Sequence, residues 1–252
     1  MRELVVVDLG TVPYQEAWAL QRSLMVRRAS DEIPDVLLLL EHPHVFTFGR
    51  RAERDGVRGP DGYEWHYVER GGLGTYHGPG QLVGYPIVKI GGLVDVKDHI
   101  TNIEEALIRT LAAFGITAQR KGADGDEKGH TGVWVAPGGA PDFREVDDAR
   151  ATRSAMRKVA SIGVAVEKWV TYHGFALNVA PDMRMFGKID PCGLAPEQLV
   201  SMKELLGKQV AVAAVAALAA KSLGMILGAR IQEKSMSWIH GLRDADGPSI
   251  VT

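Results

Sequence analysis

Apolar residues along this chain fall into short blocks with two periods. Leu4 to Val7 and Val36 to Leu40 are continuous apolar runs of strand length, and Val45 to Phe48 and Tyr63 to Val68 read as further strands. Tyr14 to Ala29 has helical spacing, with Trp18, Leu20, Leu24 and Met25 available for one apolar face and Ser30 and Pro34 to end it. Arg50 to Asp61 is polar and carries glycine, which predicts a loop. Leu82 to Ile90 alternates as a strand, but Pro86 has no N–H to give to a ladder and predicts a sheet edge or a bulge. Asp98 to Phe114 predicts a helix. Thr101 stands as its cap with Glu104 in the capping-box position, Leu107, Ile108, Leu111 and Phe114 follow at helical spacing, and Gly115 ends it. Strands are then predicted at Ile116 to Gln119, Gly132 to Ala136, Val159 to Val166 and Trp169 to Val179, the last two joined at Glu167-Lys168 as a hairpin without the usual Asn-Gly. Val210 to Leu227 is the C-terminal helix. Strands interleaved with a few helices predict an α/β or α+β fold, a mixed sheet flanked by helices.

Two stretches break these periods. Pro137 to Arg157 mixes Gly, Pro and both charges between two strands and reads as a surface insertion at 137–157. Asp244 to Thr252 reads as a frayed tail. With no linker to cut the chain, one catalytic-size domain is expected over residues 1–230, with a partly flexible extension over 231–252. At 252 residues, 46% hydrophobic and 24% charged, the chain has the composition of an ordinary globular protein. A net charge of -2 argues against a nucleic-acid partner. The most apolar stretch, Val210 to Ala220, is too short to span a bilayer, so no membrane role is expected. A single cysteine excludes an internal disulfide and a cysteine-rich zinc site, and fits a reducing cytoplasm. The ordinary surface composition leads us to expect a monomer.

That cysteine, Cys192, stands between Pro191 and Gly193. It is either a small core residue or a nucleophile. A thiol of ordinary pKa, about 8.5, is only a few per cent thiolate at neutral pH, so a nucleophile needs a base or a cation beside it. The histidines and Lys158 are the candidates. Lys158 opens a strand that is otherwise apolar, which is either a solvated strand end or an amine turned into a cleft. Arg70 to Gly80 interleaves Gly71, Gly72, Gly74, Gly78 and Gly80 with Leu73, Thr75, Tyr76 and His77. Such a loop either makes tight turns or lets another molecule approach its backbone. No Gly-Lys-Ser/Thr follows it, so a Walker phosphate loop is excluded. His42 and His44 form an H-x-H pair without further ligands at convincing spacing, and no metal is expected. No G-x-S-x-G elbow occurs to support a serine hydrolase.

Taken together, the segments resemble one family. Glu41-His42-Pro43 with Thr47-Phe48-Gly49-Arg50, then RGGLGTYHGPGQLVGYPI from Arg70, KVASIG from Lys158, HGFALNV from His173 and IDPCGL from Ile189 are similar to the lipoyl(octanoyl) transferases of lipoate biosynthesis. The resemblance implies the fold shared with biotin and lipoate protein ligases. It implies transfer of an octanoyl group from octanoyl-acyl carrier protein to a lysine of lipoyl domains, those of 2-oxoacid dehydrogenases and of the glycine cleavage H protein, with no cofactor. It assigns the acyl thioester to Cys192 and the adjustment of its ionisation to Lys158. It carries substrate lining over to Arg70, Gly71, Gly72, Leu73, Gly74, Thr75, Tyr76 and His77, to Ser161, Ile162 and Gly163, and to Gly174, Phe175 and Ala176. Backbone N–H groups near Gly78 or after Cys192 are the expected donors to the tetrahedral centre. The family usually has a short turn where this chain has residues 137–157, a departure that bears on access to the site. The competing readings are an ATP-dependent lipoate or biotin ligase, a sibling enzyme moving octanoyl groups between lipoyl proteins, and an inactive module that only binds a carrier.

Overall fold

A computed structural model describes residues 2–91, 95–121, 131–136, 156–190 and 194–244. The chain enters as β1 (Arg2–Thr11), crosses in α1 (Tyr14–Ala29) and returns as β2 (Asp35–Glu41). A smaller unit follows: β3 (Val45–Phe48), α2 (Arg50–Arg54), β4 (Glu64–Tyr67) and β5 (Gly74–His77). Then come β6 (Gln81–Ile87), α3 (Val96–Ala113), β7 (Gln119–Arg120), β8 (Gly132–Val135), β9 (Arg157–Glu167) and β10 (Val170–Asn178). The described chain closes with α4 (Met202–Leu206), α5 (Val212–Ile226), β11 (Ala229–Lys234) and α6 (Met236–Asp244).

Among the described residues the strands form an eight-stranded sheet in the order β11-β1-β2-β6-β10-β9-β8-β7 and a three-stranded sheet β4-β3-β5. In the large sheet β1 is parallel to both β2 and β11, and the other pairs are antiparallel, so the sheet is mixed as expected. Alternation along its strands supplies two cores. Val5, Val7, Val36, Leu38, Leu40, Val83 and Tyr172 pack beneath α1, with Ile239 of α6. Leu4, Leu37, Leu39, Leu82, Phe175 and Leu177 pack beneath α3 and α5, against Ile103, Leu107, Val215 and Leu223. A third cluster, with Phe46, Phe48, Tyr76, Trp134 and Phe186, lies under the small sheet.

Several expectations are corrected. β6 is not an edge strand, because it lies between β2 and β10. The ladder is interrupted locally instead. β6 pairs with β10 only as far as Gly84 opposite Phe175. Beyond that point His173 turns to φ 56, and its backbone N–H donates to Gln21 Oε1 at 2.8 Å. Thr171 Oγ1 donates to the Pro86 carbonyl at 2.8 Å. A side chain from α1 and one from β10 thus satisfy groups that a proline-bearing strand leaves over. The α3 cap is Asp95, which forms a capping box with Asp98, rather than Thr101 with Glu104. Arg50 to Arg54 is helical, not loop. The β9–β10 hairpin turns on Lys168 and Trp169, both at positive φ (51° and 62°), the geometry of a type I′ turn without its usual Asn-Gly. Ile116 is buried, but pairing begins only at Gln119. At the C-terminal end β11 runs across the expected boundary at residue 230 and extends the large sheet beside β1. Of the expected insertion, residues 137–155 lie outside the described residues; Met156 is buried and Arg157 already belongs to β9. The expected tail lies outside them from residue 245 onward.

Candidate active site

Lys158 owes its direction to a bulge. Gly132 faces Ser161 and Val133 faces Ala160, but the register then slips and Trp134 faces Lys158. Val159 is the extra residue. In an unbroken strand Lys158 would share a face with Ala160, because side chains alternate. With one residue inserted, Val159 and Ala160 both enter the core beneath α3 and α5, and Lys158 turns to the opposite face. That face carries Trp134, and Lys158 Nζ stands 5.3 Å from the centre of its ring, within cation–π reach. The amine is not a solvated strand end: Lys158 is only 4% exposed.

Gly132 makes room for it. Its φ of 140° lies where side-chain-bearing residues are strained, and a Cβ there would stand 2.6 Å from Lys158 Cε and closer still to the Ala160 carbonyl. Gly132→Ala is expected to lower stability by about 1–3 kcal/mol, read from urea denaturation. An unchanged midpoint would show that this strand end has more freedom than its geometry indicates.

A cavity of about 200 Å³ opens between the small sheet and β9–β10. The loop into β5 contributes Arg70, Gly71, Gly72, Gly74, Thr75 and His77; β9 contributes Lys158, Ser161, Ile162 and Gly163; β10 contributes Gly174, Phe175 and Ala176. The structure therefore brings together most of the residues singled out in the sequence. Leu73 and Tyr76 do not line the cavity. Leu73 packs into the cluster under the small sheet, and Tyr76 is fully buried there, its hydroxyl 2.7 Å from His44 Nδ1. Gly78 does not line it either, and Cys192 lies outside the described residues. The loop and β9 meet closely: the Gly71 N–H donates to the Val164 carbonyl at 3.4 Å, and a Cβ on Gly163 would stand 3.1 Å from Arg70 Cδ.

Tyr14, Tyr85, Thr131, His173, Phe186, Leu194 and Leu199 also line the cavity, and none of them was in the lining set read from the sequence. His173 had been considered only as a base for the thiol. Leu194 carried a signal, since it directly follows the Pro-Cys-Gly triplet, and Phe186 stands five positions before that triplet. Tyr85 stands inside the motif that begins at Arg70, although in the part that reads as an ordinary strand, and Tyr14 carried no signal because it only opens the expected helix.

Hydrogen bonds settle the state of His77. Gln81 Nε2 donates to the Tyr76 carbonyl at 3.2 Å and to Asn178 Oδ1 at 3.0 Å, so Gln81 Oε1 is left to accept from His77 Nδ1 at 2.8 Å. The proton thus sits on Nδ1, and Nε2 faces Thr47 Oγ1 at 3.5 Å. Thr47 in turn receives Arg70 Nη2 at its hydroxyl and its carbonyl, at 3.0 and 2.6 Å. Burial, helped by the neighbouring His42, lowers the His77 pKa to about 3. His173, whose Nε2 lies 3.3 Å from Glu69 Oε2, is also lowered by burial, with Glu69 opposing. At neutral pH His77 is therefore a neutral ring with its proton on Nδ1. Among the described residues no cluster of three or more His, Cys, Asp or Glu is arranged to hold a metal.

Known proteins resemble this chain in sequence and in fold. The octanoyltransferase of Acidothermus cellulolyticus is 48% identical over 206 residues, covering 82% of this chain and 84% of that one. The octanoyltransferase of Streptomyces coelicolor is 43% identical over 257 residues, covering 90% and 94%. In fold the chain is similar to the bipartite lipoate protein ligase solved with its E2 lipoyl domain from Thermoplasma acidophilum, at a TM-score of 0.63 with 14% identity, covering 97% of this chain and 93% of that one. Residues 13–224 match the family described as the lipoyl protein ligase A/B catalytic domain. The chain belongs to that family.

Proposed function

We propose that this protein transfers an octanoyl group from acyl carrier protein to a lysine of a lipoyl domain, through a thioester on Cys192, with Lys158 moving the protons. The octanoyl transfer rests on the similarity to octanoyltransferases over most of the chain. The residue roles rest on one observation above the rest: a buried lysine lines a cavity whose wall includes the apolar side chains of Ile162, Phe175, Phe186, Leu194 and Leu199. Leu194, which lines the cavity, follows Cys192 by two positions in the sequence, and this supports assigning the thiol to the same site. Motifs that bring substrate lining and a buried amine together, in a chain that also carries the Pro-Cys-Gly triplet, support a transferase over a module that only binds a carrier.

The chemistry is balanced without an activating nucleotide. Lys158, as the amine, takes the thiol proton, and the Cys192 thiolate attacks the carbonyl of the octanoyl thioester. The carrier's pantetheine sulfur leaves with the proton now on Lys158. The acceptor lysine then attacks the acyl-cysteine, gives its proton to Lys158 and releases Cys192 as the thiolate. One thioester is exchanged for another and then for an amide, so the sequence runs downhill. The acyl chain sits against the apolar wall, where each buried methylene contributes about 0.8 kcal/mol, so neighbouring chain lengths are separated only gradually. A cytoplasmic location and a monomeric state accompany this reading as proposals; the first is supported by the chemistry's need for a reduced thiol.

The test is transfer to an isolated lipoyl domain, followed by mass spectrometry of the domain. Octanoyl-acyl carrier protein without ATP is expected to give the octanoylated domain, and free octanoate with ATP to give none. The reverse pattern would make the protein a nucleotide-dependent ligase.

A further inference from the structure

We propose that Glu104 of α3 is a positioning residue for Lys158, pinning the strand end against which the amine lies and setting a carboxylate beside its charge. Glu104 is 8% exposed, and its Oε1 accepts the Gly132 N–H at 3.0 Å. A carboxylate on a helix face that otherwise packs Ile103 and Leu107 into the core is costly unless it is partnered, and its partner is that backbone group. Gly132 is the residue whose missing Cβ leaves space for Lys158 Cε. Thr131, next to it, lines the cavity. One hydrogen bond from α3 therefore fixes both the floor under the lysine stem and a short piece of the cavity wall.

The charge environment is consistent with this placement. Burial raises the Glu104 pKa, while the Gly132 N–H, Arg120 and Lys158 each oppose it. Those two charges act on it through space, Arg120 from β7 and Lys158 from β9. Lys121 lies beyond, its Nζ 4.5 Å from the centre of the same Trp134 ring that Lys158 faces. A negative charge near Lys158 favours the charged form of its amine. Its removal is expected to let the amine lose its proton at lower pH.

This inference rests on the proposed role of Lys158, and the variants separate the two. Glu104→Gln keeps an oxygen for the Gly132 N–H but loses the charge. Glu104→Asp keeps the charge but falls one methylene short of the backbone. The measurement is the pH dependence of acyl-enzyme formation from octanoyl-acyl carrier protein. For Glu104→Gln the midpoint is expected to move down by about half a unit to one unit, with the plateau rate little changed. For Glu104→Asp the midpoint is expected to stay in place while the plateau falls by about tenfold or more. Combined with Lys158→Ala, Glu104→Gln is expected to shift nothing. A Glu104→Gln profile that superimposes on the parent, or a Glu104→Asp plateau equal to the parent, would overturn the proposal. Full-speed acylation by Lys158→Ala alone would instead overturn the reading beneath it.

Discussion

Cys192→Ser is expected to lose octanoyl transfer altogether, with turnover falling by about 10⁴-fold or more against the parent protein. A hydroxyl is a far weaker acid than a thiol, so an amine that can take a proton from sulfur cannot take one from oxygen to any useful extent. Even if an oxygen ester formed, it would be less reactive toward the acceptor amine than a thioester, and the second half of the cycle would stall. The substitution removes no large side chain, so stability and binding of the octanoyl donor are expected to survive. Rates are read by mass spectrometry of the lipoyl domain. Retained turnover in the serine variant would mean that the acyl group passes directly from donor to acceptor.

Lys158→Ala is expected to slow formation of the acyl-enzyme by about 10²–10⁴-fold, the range over which a positioned proton carrier contributes. The same amine serves three proton transfers in the proposed cycle, so both half-reactions suffer. The bulge between β8 and β9 aims that amine into the cavity, and Gly132 leaves space for its stem. Histidine cannot take over the task, since burial keeps His77 neutral down to a pKa of about 3 and holds His173 below its ordinary value. Raising the pH is expected to recover part of the lost rate, because more thiol then ionises without assistance. Stopped-flow or quenched mass measurements of the first turnover check this. A variant as fast as the parent at neutral pH would remove Lys158 from the mechanism.

Much of this arrangement was legible in the chain, and the missing parts have physical reasons. α1 and the central strands follow from apolar period alone, and the residues gathered around the cavity follow from short motifs far apart in sequence. The bulge at Val159 left no trace, because Lys-Val-Ala reads as regular alternation until β8 is laid beside it. Pro86 was a correct sign of a broken ladder, and of the two settings it allowed, a sheet edge or an irregularity within the sheet, β6 is not at the edge. The repair comes from Gln21 and Thr171, on other elements, which no local pattern can disclose. β11 was missed because Ala229–Lys234 alternates weakly and finds its partner in β1, more than two hundred residues earlier. Glu104 was read as half of a capping box. Its actual partner, the Gly132 N–H, depends on how α3 packs over β8. The resemblance carried Tyr76 into the cavity lining, yet the alternation of β5 turns it into the core beneath the small sheet.

The most direct test is the intact mass of the protein after exposure to octanoyl-acyl carrier protein. The wild-type chain is expected to gain one octanoyl group, to lose it when a lipoyl domain is added, and to gain none when residue 192 is serine. A wild-type protein that stays unmodified while the lipoyl domain becomes octanoylated, or an adduct that persists in the serine variant, would contradict the cysteine-borne thioester.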